Sequence, residues 1–116
     1  MHVRVLYHDH CFDGATSAAL FAECYAQRLS PSATFEFVGM NHGTGDVFAG
    51  AFSDDPSVEH VCDDFRYSAD PRLGWWFDHH QSAFMSDADA AHFQRVQHRR
   101  HFYDPKAQSC SKFLAD

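Results

Sequence analysis

Residues 2–8, HVRVLYH, alternate along the chain and are rich in Val and Leu, so the spacing predicts a β-strand. Residues 13–29, DGATSAALFAECYAQRL, follow a helical period, with Asp13 placed to cap the N-terminus and small residues in the first turns. A Ser-Pro-Ser turn separates that helix from a second strand over 34–40, TFEFVGM. Residues 41–57 are loop, with room for one helical turn. Residues 58–63 (VEHVCD) form a third strand, 66–72 a connector, and 73–78 (LGWWFD) a fourth strand. Trp75 and Trp76 fall on opposite faces of that strand, one in the core and the other against a neighbouring helix. A helix is expected over 87–98, a short strand over 100–104, and another helix over 109–116. No repeat, low-complexity segment or linker divides the chain.

Strands alternating with helices argue for a parallel α/β sheet with right-handed crossovers. Ligands of such sheets lie beyond the carboxyl ends of the strands. His8 and Asp9 follow the first strand, Asp63 and Asp64 end the third, and Asp78, His79 and His80 end the fourth. Three separate strands thus bring ionisable side chains to one edge. Asp63 itself reads as a solvated strand end.

Composition narrows the class. With 116 residues, 45% apolar and 22% charged, the chain is one folded domain. No apolar run approaches the ~20 residues of a membrane span, and the N-terminus lacks the pattern of a signal peptide. A cytosolic protein without membrane partners is the expectation. The formal charge of −7 excludes capture of nucleic acid by bulk electrostatics. The local exception is the basic run QRVQHRRH at 94–101, which reads as a solvated helix face or as a phosphate contact. Cys11, Cys24, Cys62 and Cys110 form no C-x-x-C pair and match no zinc spacing.

Carboxylates and imidazoles together suit Mn²⁺, Zn²⁺ or Fe²⁺, whereas carboxylates alone favour Mg²⁺. Two such ions can clamp the attacking and leaving oxygens of a phosphoryl displacement. YHDHCFDGATSAA (7–19), VCDDFRYS (61–68) and WWFDHHQS (75–82) resemble, in order, the first three motifs of the DHH phosphoesterase superfamily. RecJ-type exonucleases, nanoRNases, cyclic-dinucleotide phosphodiesterases and family II pyrophosphatases belong to it. The resemblance implies a three-layer α/β/α domain of the DHH type over 1–116. It also implies a manganese-dependent hydrolase of phosphodiesters or phosphoanhydrides acting through metal-activated water, with one ion or a pair, Mg²⁺ or Zn²⁺ being the other candidates. Carried over by motif, His8, Asp13 and His79 would bind metal and Asp64 would bridge two ions. His80 would contact the scissile phosphate or the leaving group, and Asp78 would orient its neighbours. The substrate would be a phosphorylated small molecule or a short oligonucleotide.

Two departures qualify the match. Cys11 stands where many members carry an aspartate, so Asp9 or a Cys11 thiolate is the substitute ligand, or the site holds one metal fewer. A further downstream aspartate and a second, substrate-binding domain have no counterpart here. The chain therefore resembles the N-terminal part of a DHH protein, or a short member. An alternative follows: a truncated or degenerate domain that binds metal or nucleotide without catalysis. An incomplete sheet also leaves an edge open to pairing, so a homodimer is one assembly to test.

Overall fold

The computed structural model describes residues 2–9, 12–41, 47–80, 83–84, 87–96 and 100–104. Cys11, His42 and the helix expected over 109–116 lie outside the described residues, as do residues 97–99 of the basic run. The elements are β1 (His2–His8), α1 (Phe12–Arg28), β2 (Thr34–Met40), β3 (Val58–Asp63), β4 (Leu73–Asp78), α2 (Asp87–Val96) and β5 (His101–Tyr103). All five strands are parallel, in the order β2-β1-β3-β4-β5. The α/β parallel sheet expected from the sequence is the observed fold.

Alternation along the strands sorts the core onto two faces. Val3, Val5 and Val61 pack with Ala18, Phe21 and Tyr25 of α1, joined by Trp75 and Phe77 of β4. Leu6, Cys62 and Trp76 point the other way and meet Met40, Phe48, Phe65, Tyr67 and Ala83. Each fully buried aliphatic side chain contributes about 1.5–3 kcal/mol relative to exposure. The two tryptophans divide as their alternation predicts: Trp76 is fully buried, and Trp75 meets Phe21 of α1 edge-on at 5.5 Å. α2 buries none of its residues and reaches the second core through Phe93 and through His92, whose Nδ1 lies 2.7 Å from Tyr67 Oη, and loop residues cover most of that face.

α1 is helical because Ala-rich turns favour it and because Gly14, Ser17, Ala18, Phe21 and Tyr25 make a buried stripe. It ends where the N–H groups of Leu29 and Ser30 both donate to Tyr25 O, just before Pro31. The helix starts at Phe12, one residue before the expected cap. Asp13 therefore lies inside the first turn, where a carboxylate favours the helix dipole.

Gly14 fixes how closely the helix meets the sheet. A Cβ there would sit 2.2 Å from the backbone oxygen of His8, so only glycine permits this approach. At the other end of the sheet one carboxylate ties three elements together. Glu59 accepts from Tyr25 Oη at 2.9 Å, Trp75 Nε1 at 2.8 Å and Arg100 Nη1 at 3.1 Å, while the Arg100 guanidinium lies over the Trp75 ring.

Candidate metal centre

The strand order changes direction at β1. One connection leaves toward β2 on one side, and the later strands extend from β3 on the other. In open parallel sheets such a switch point, at the carboxyl ends of the strands, is where ligands bind. The residues singled out by sequence fall at that edge. His8 ends β1, Asp13 opens α1, Asp64 follows β3, and Asp78, His79 and His80 end β4.

Asp64 is the centre of the group. It leaves the strand in the left-handed region, at φ 56°, a conformation that Asp tolerates better than most residues. Its N–H still donates to Phe77 O at 2.9 Å, so the turn stays anchored to β4. The fully buried carboxylate reaches in two directions. Its Oδ1 lies 3.4 Å from His79 Nε2 and 3.7 Å from His80 Nδ1, and its Oδ2 lies 3.9 Å from His8 Nδ1. His79 Nε2 is also 3.4 Å from Asp13 Oδ2.

Asp78, fully buried, organises the next two residues. Its Oδ1 accepts from the backbone N–H of His79 at 2.8 Å and of His80 at 3.3 Å, and it lies 2.6 Å from His80 Nδ1. A carboxylate oxygen accepts, which assigns the shared hydrogen to Nδ1 and leaves Nε2 for other partners. Two bonds from the end of β5 and the residue after it brace this turn: Tyr103 Oη donates to His80 O at 2.8 Å, and Asp104 N–H donates to Asp78 O at 3.1 Å. That brace was not foreseen from sequence, because nothing local links Tyr103 to the DHH turn.

Burial and crowding set the protonation of the cluster. Burial pushes the Asp64 carboxyl up to about 7; Asp13 and Asp78 add to the rise, and the imidazoles of His80 and His79 oppose it. The Asp78 carboxylate at hydrogen-bond distance holds the His80 imidazole above its ordinary range. Asp63 corrects the reading of a solvated strand end: it is fully buried. Neither of its carboxylate oxygens has a hydrogen-bond partner among the described residues, and burial, with Asp64 adding, raises its carboxyl well above the usual range. The period of two, which sets it opposite Cys62 and level with Val61, was the sequence signal for an inward side chain.

This donor set fits a cation. One ligand atom each from Asp64, Asp78, His79 and His80 lie within 4.8 Å of one another. Two atoms that each sit about 2.1 Å from one ion in tetrahedral geometry are about 3.4 Å apart. That is the His79–Asp64 and His79–Asp13 spacing, and it is too long for charge-assisted hydrogen bonds of about 2.7–2.9 Å. Asp78 Oδ2 is buried without a hydrogen-bond partner among the described residues, and a cation would satisfy it. Asp78 thus belongs with the candidate ligands as well as orienting its neighbours. Asp9 is placed differently: its carboxylate lies over β2, where a Cβ on Gly39 would be 2.6 Å from its Cγ. Cys11, the other substitute ligand, lies outside the described residues.

An apolar groove between α1 and β4, lined by Phe21, Cys24, Trp75 and Phe77, holds none of these donors and is separate from the centre. Among the described residues, no helix is long and apolar enough to cross a membrane. Compared with protein-family models, curated proteins and solved structures, the chain matches none of them.

Proposed function

We propose that the protein is a metal-dependent phosphoesterase that hydrolyses a phosphodiester or phosphoanhydride, on a nucleotide or short oligonucleotide substrate, in the cytoplasm. The observation that carries this reading is the convergence of Asp64, Asp78, His79 and His80, adjoined by His8 and Asp13, at the switch point of a parallel sheet. The motif resemblance to DHH phosphoesterases points the same way.

Asp64, His79, His8 and Asp13, with Asp78 beside them, would hold Mn²⁺, with Mg²⁺ or Zn²⁺ as substitutes, and Asp64 would be the ligand shared if two ions bind. When bound, such an ion supplies Lewis-acid polarisation of a phosphoryl oxygen and a water of lowered pKa. The remaining work falls to the chain. Asp78 fixes the His80 ring through Nδ1 and favours its protonated form, so Nε2 can carry a proton to the departing oxygen. The N-terminus of α1 adds N–H groups oriented toward an anion.

The test is a calorimetric Mn²⁺ titration of the protein and of Asp64→Asn and His79→Ala, followed by assay of phosphodiester and pyrophosphate hydrolysis. Binding lost in both variants, together with hydrolysis by the parent, supports the reading. Binding without hydrolysis of any substrate assigns the alternative, a metal-binding domain without catalysis. A folded parent that binds no Mn²⁺, Mg²⁺ or Zn²⁺ rejects both.

A further inference from the structure

Phe12 is the most exposed large apolar residue described, at 87%. The other exposed aromatics lean on a ring: Phe37 stacks with Phe35 at 6.3 Å, and Phe102 with Phe77 at 5.2 Å. Phe12 has no ring contact among the described residues. It could have served as a staple, packing back onto the first turn of α1, but such a role would bury it. Its place is specific. It is the first residue of α1, and the next residue, Asp13, holds its carboxylate 3.4 Å from His79 Nε2. α1 departs from the carboxyl end of β1, so its first residue lies at that edge of the sheet. An exposed aromatic side chain with no ring contact among the described residues therefore stands one residue from a candidate ligand.

We infer that Phe12 is a stacking platform for a nucleobase of the substrate. The inference rests on the phosphoesterase reading and deepens it: the substrate class is a nucleotide or oligonucleotide whose base lies within one nucleotide of the scissile phosphate, not pyrophosphate. Stacking on a phenyl face accepts every base, so discrimination among bases is weak, and binding depends on having a base at all.

The experiment compares the parent chain, Phe12→Ala and Phe12→Trp in Mn²⁺ buffer. Its substrates are a 5′-phosphorylated diadenylate and the matching abasic dinucleotide. Its binding readout is the fluorescence of a 2-aminopurine dinucleotide, which needs no turnover. Loss of one stacked base raises the dinucleotide KM, or the Kd, about 5- to 150-fold in Phe12→Ala. Phe12→Trp restores it, kcat holds, and constants for the abasic substrate do not move. Quenching by the parent but not by Phe12→Ala, with no hydrolysis by either, sustains the platform and removes the hydrolase reading. Equal constants for parent and Phe12→Ala, an equal loss on the abasic substrate, or no nucleotide binding by the parent overturns the inference. So does a change of oligomeric state in Phe12→Ala with nucleotide binding intact, which makes the ring a protein contact instead.

Discussion

Asp64→Asn isolates what the buried carboxylate costs the fold and what it gives the site. Asparagine tolerates the left-handed backbone at this position about as well as aspartate, so the turn survives the change. In metal-free buffer the folded-state carboxyl titrates near 7, while the unfolded chain titrates near the ordinary carboxylate value. Between those values the folded state keeps a proton that the unfolded state has released. The stability from this group is complete below the unfolded value and is lost as pH rises toward 7. From pH 5 to 7 one such proton accounts for at most about 1.4 kcal/mol per pH unit, hence up to about 3 kcal/mol. Asp63 and His80, both raised, act in the same direction. His60, held low mainly by burial and then by Arg4 and Arg72, acts in the opposite one. The difference in slope between parent and variant removes what His60 contributes, whereas Asp63 and His80, each raised in part by Asp64, change with it, so that difference reports Asp64 together with its influence on these two neighbours. Urea unfolding with chelator at pH 5, 6 and 7 should show a shallower decline in Asp64→Asn, and a variant at least as stable as the parent at pH 7. Added Mn²⁺ at 100 times its Kd should return about 2.7 kcal/mol to the parent and little to the variant. The gain should grow with pH, because ligation displaces protons. Parallel pH slopes for the two proteins without metal would refute the account of Asp64.

Gly14→Ala forces a methyl against the His8 carbonyl, so helix and strand must separate; thermal unfolding should show about 1–3 kcal/mol of lost stability, with weakened Mn²⁺ binding because His8 and Asp13 move apart. Asp78→Asn removes the charge that holds His80 protonated, so the His80 imidazole titration followed by NMR in metal-free buffer should move to lower pH; an unmoved midpoint would show that Asp78 does not tune it.

Much of the architecture was legible because the strands carry their own signals. The bounds 2–8, 34–40, 58–63 and 73–78 stand as the alternation and turn residues set them. Strand order is another matter. It depends on which apolar faces meet across the chain, and no local pattern in β1 or β3 states that they are neighbours. The candidate site was legible in part for a related reason. His8, Asp13, Asp64, Asp78, His79 and His80 occupy strand ends or a helix start, and a parallel sheet brings such positions to one edge. Asp9 broke the pattern by turning toward Gly39 of β2, a contact between strands that sequence does not reveal. Asp63 was misread because two adjacent aspartates suggest water, whereas the backbone turn at Asp64 leaves the first of the pair inside.

The Glu59 junction gives the sheet a mechanical polarity. At its amino edge, a single carboxylate with three donors fastens α1, β4 and the approach to β5. At its carboxyl edge, Asp63, Asp64 and Asp78 bury three carboxyl groups, and among the described residues both oxygens of Asp63 and Oδ2 of Asp78 lack hydrogen-bond partners. Opening motions cost least where repulsion is stored and most where the network is complete. Without a cation the sheet should therefore unzip from the carboxyl edge, exchanging amide hydrogens first around Asp64 and His80 and last around Glu59. The end that frays is the end that binds, and a captured ion would act as the clasp that closes the domain.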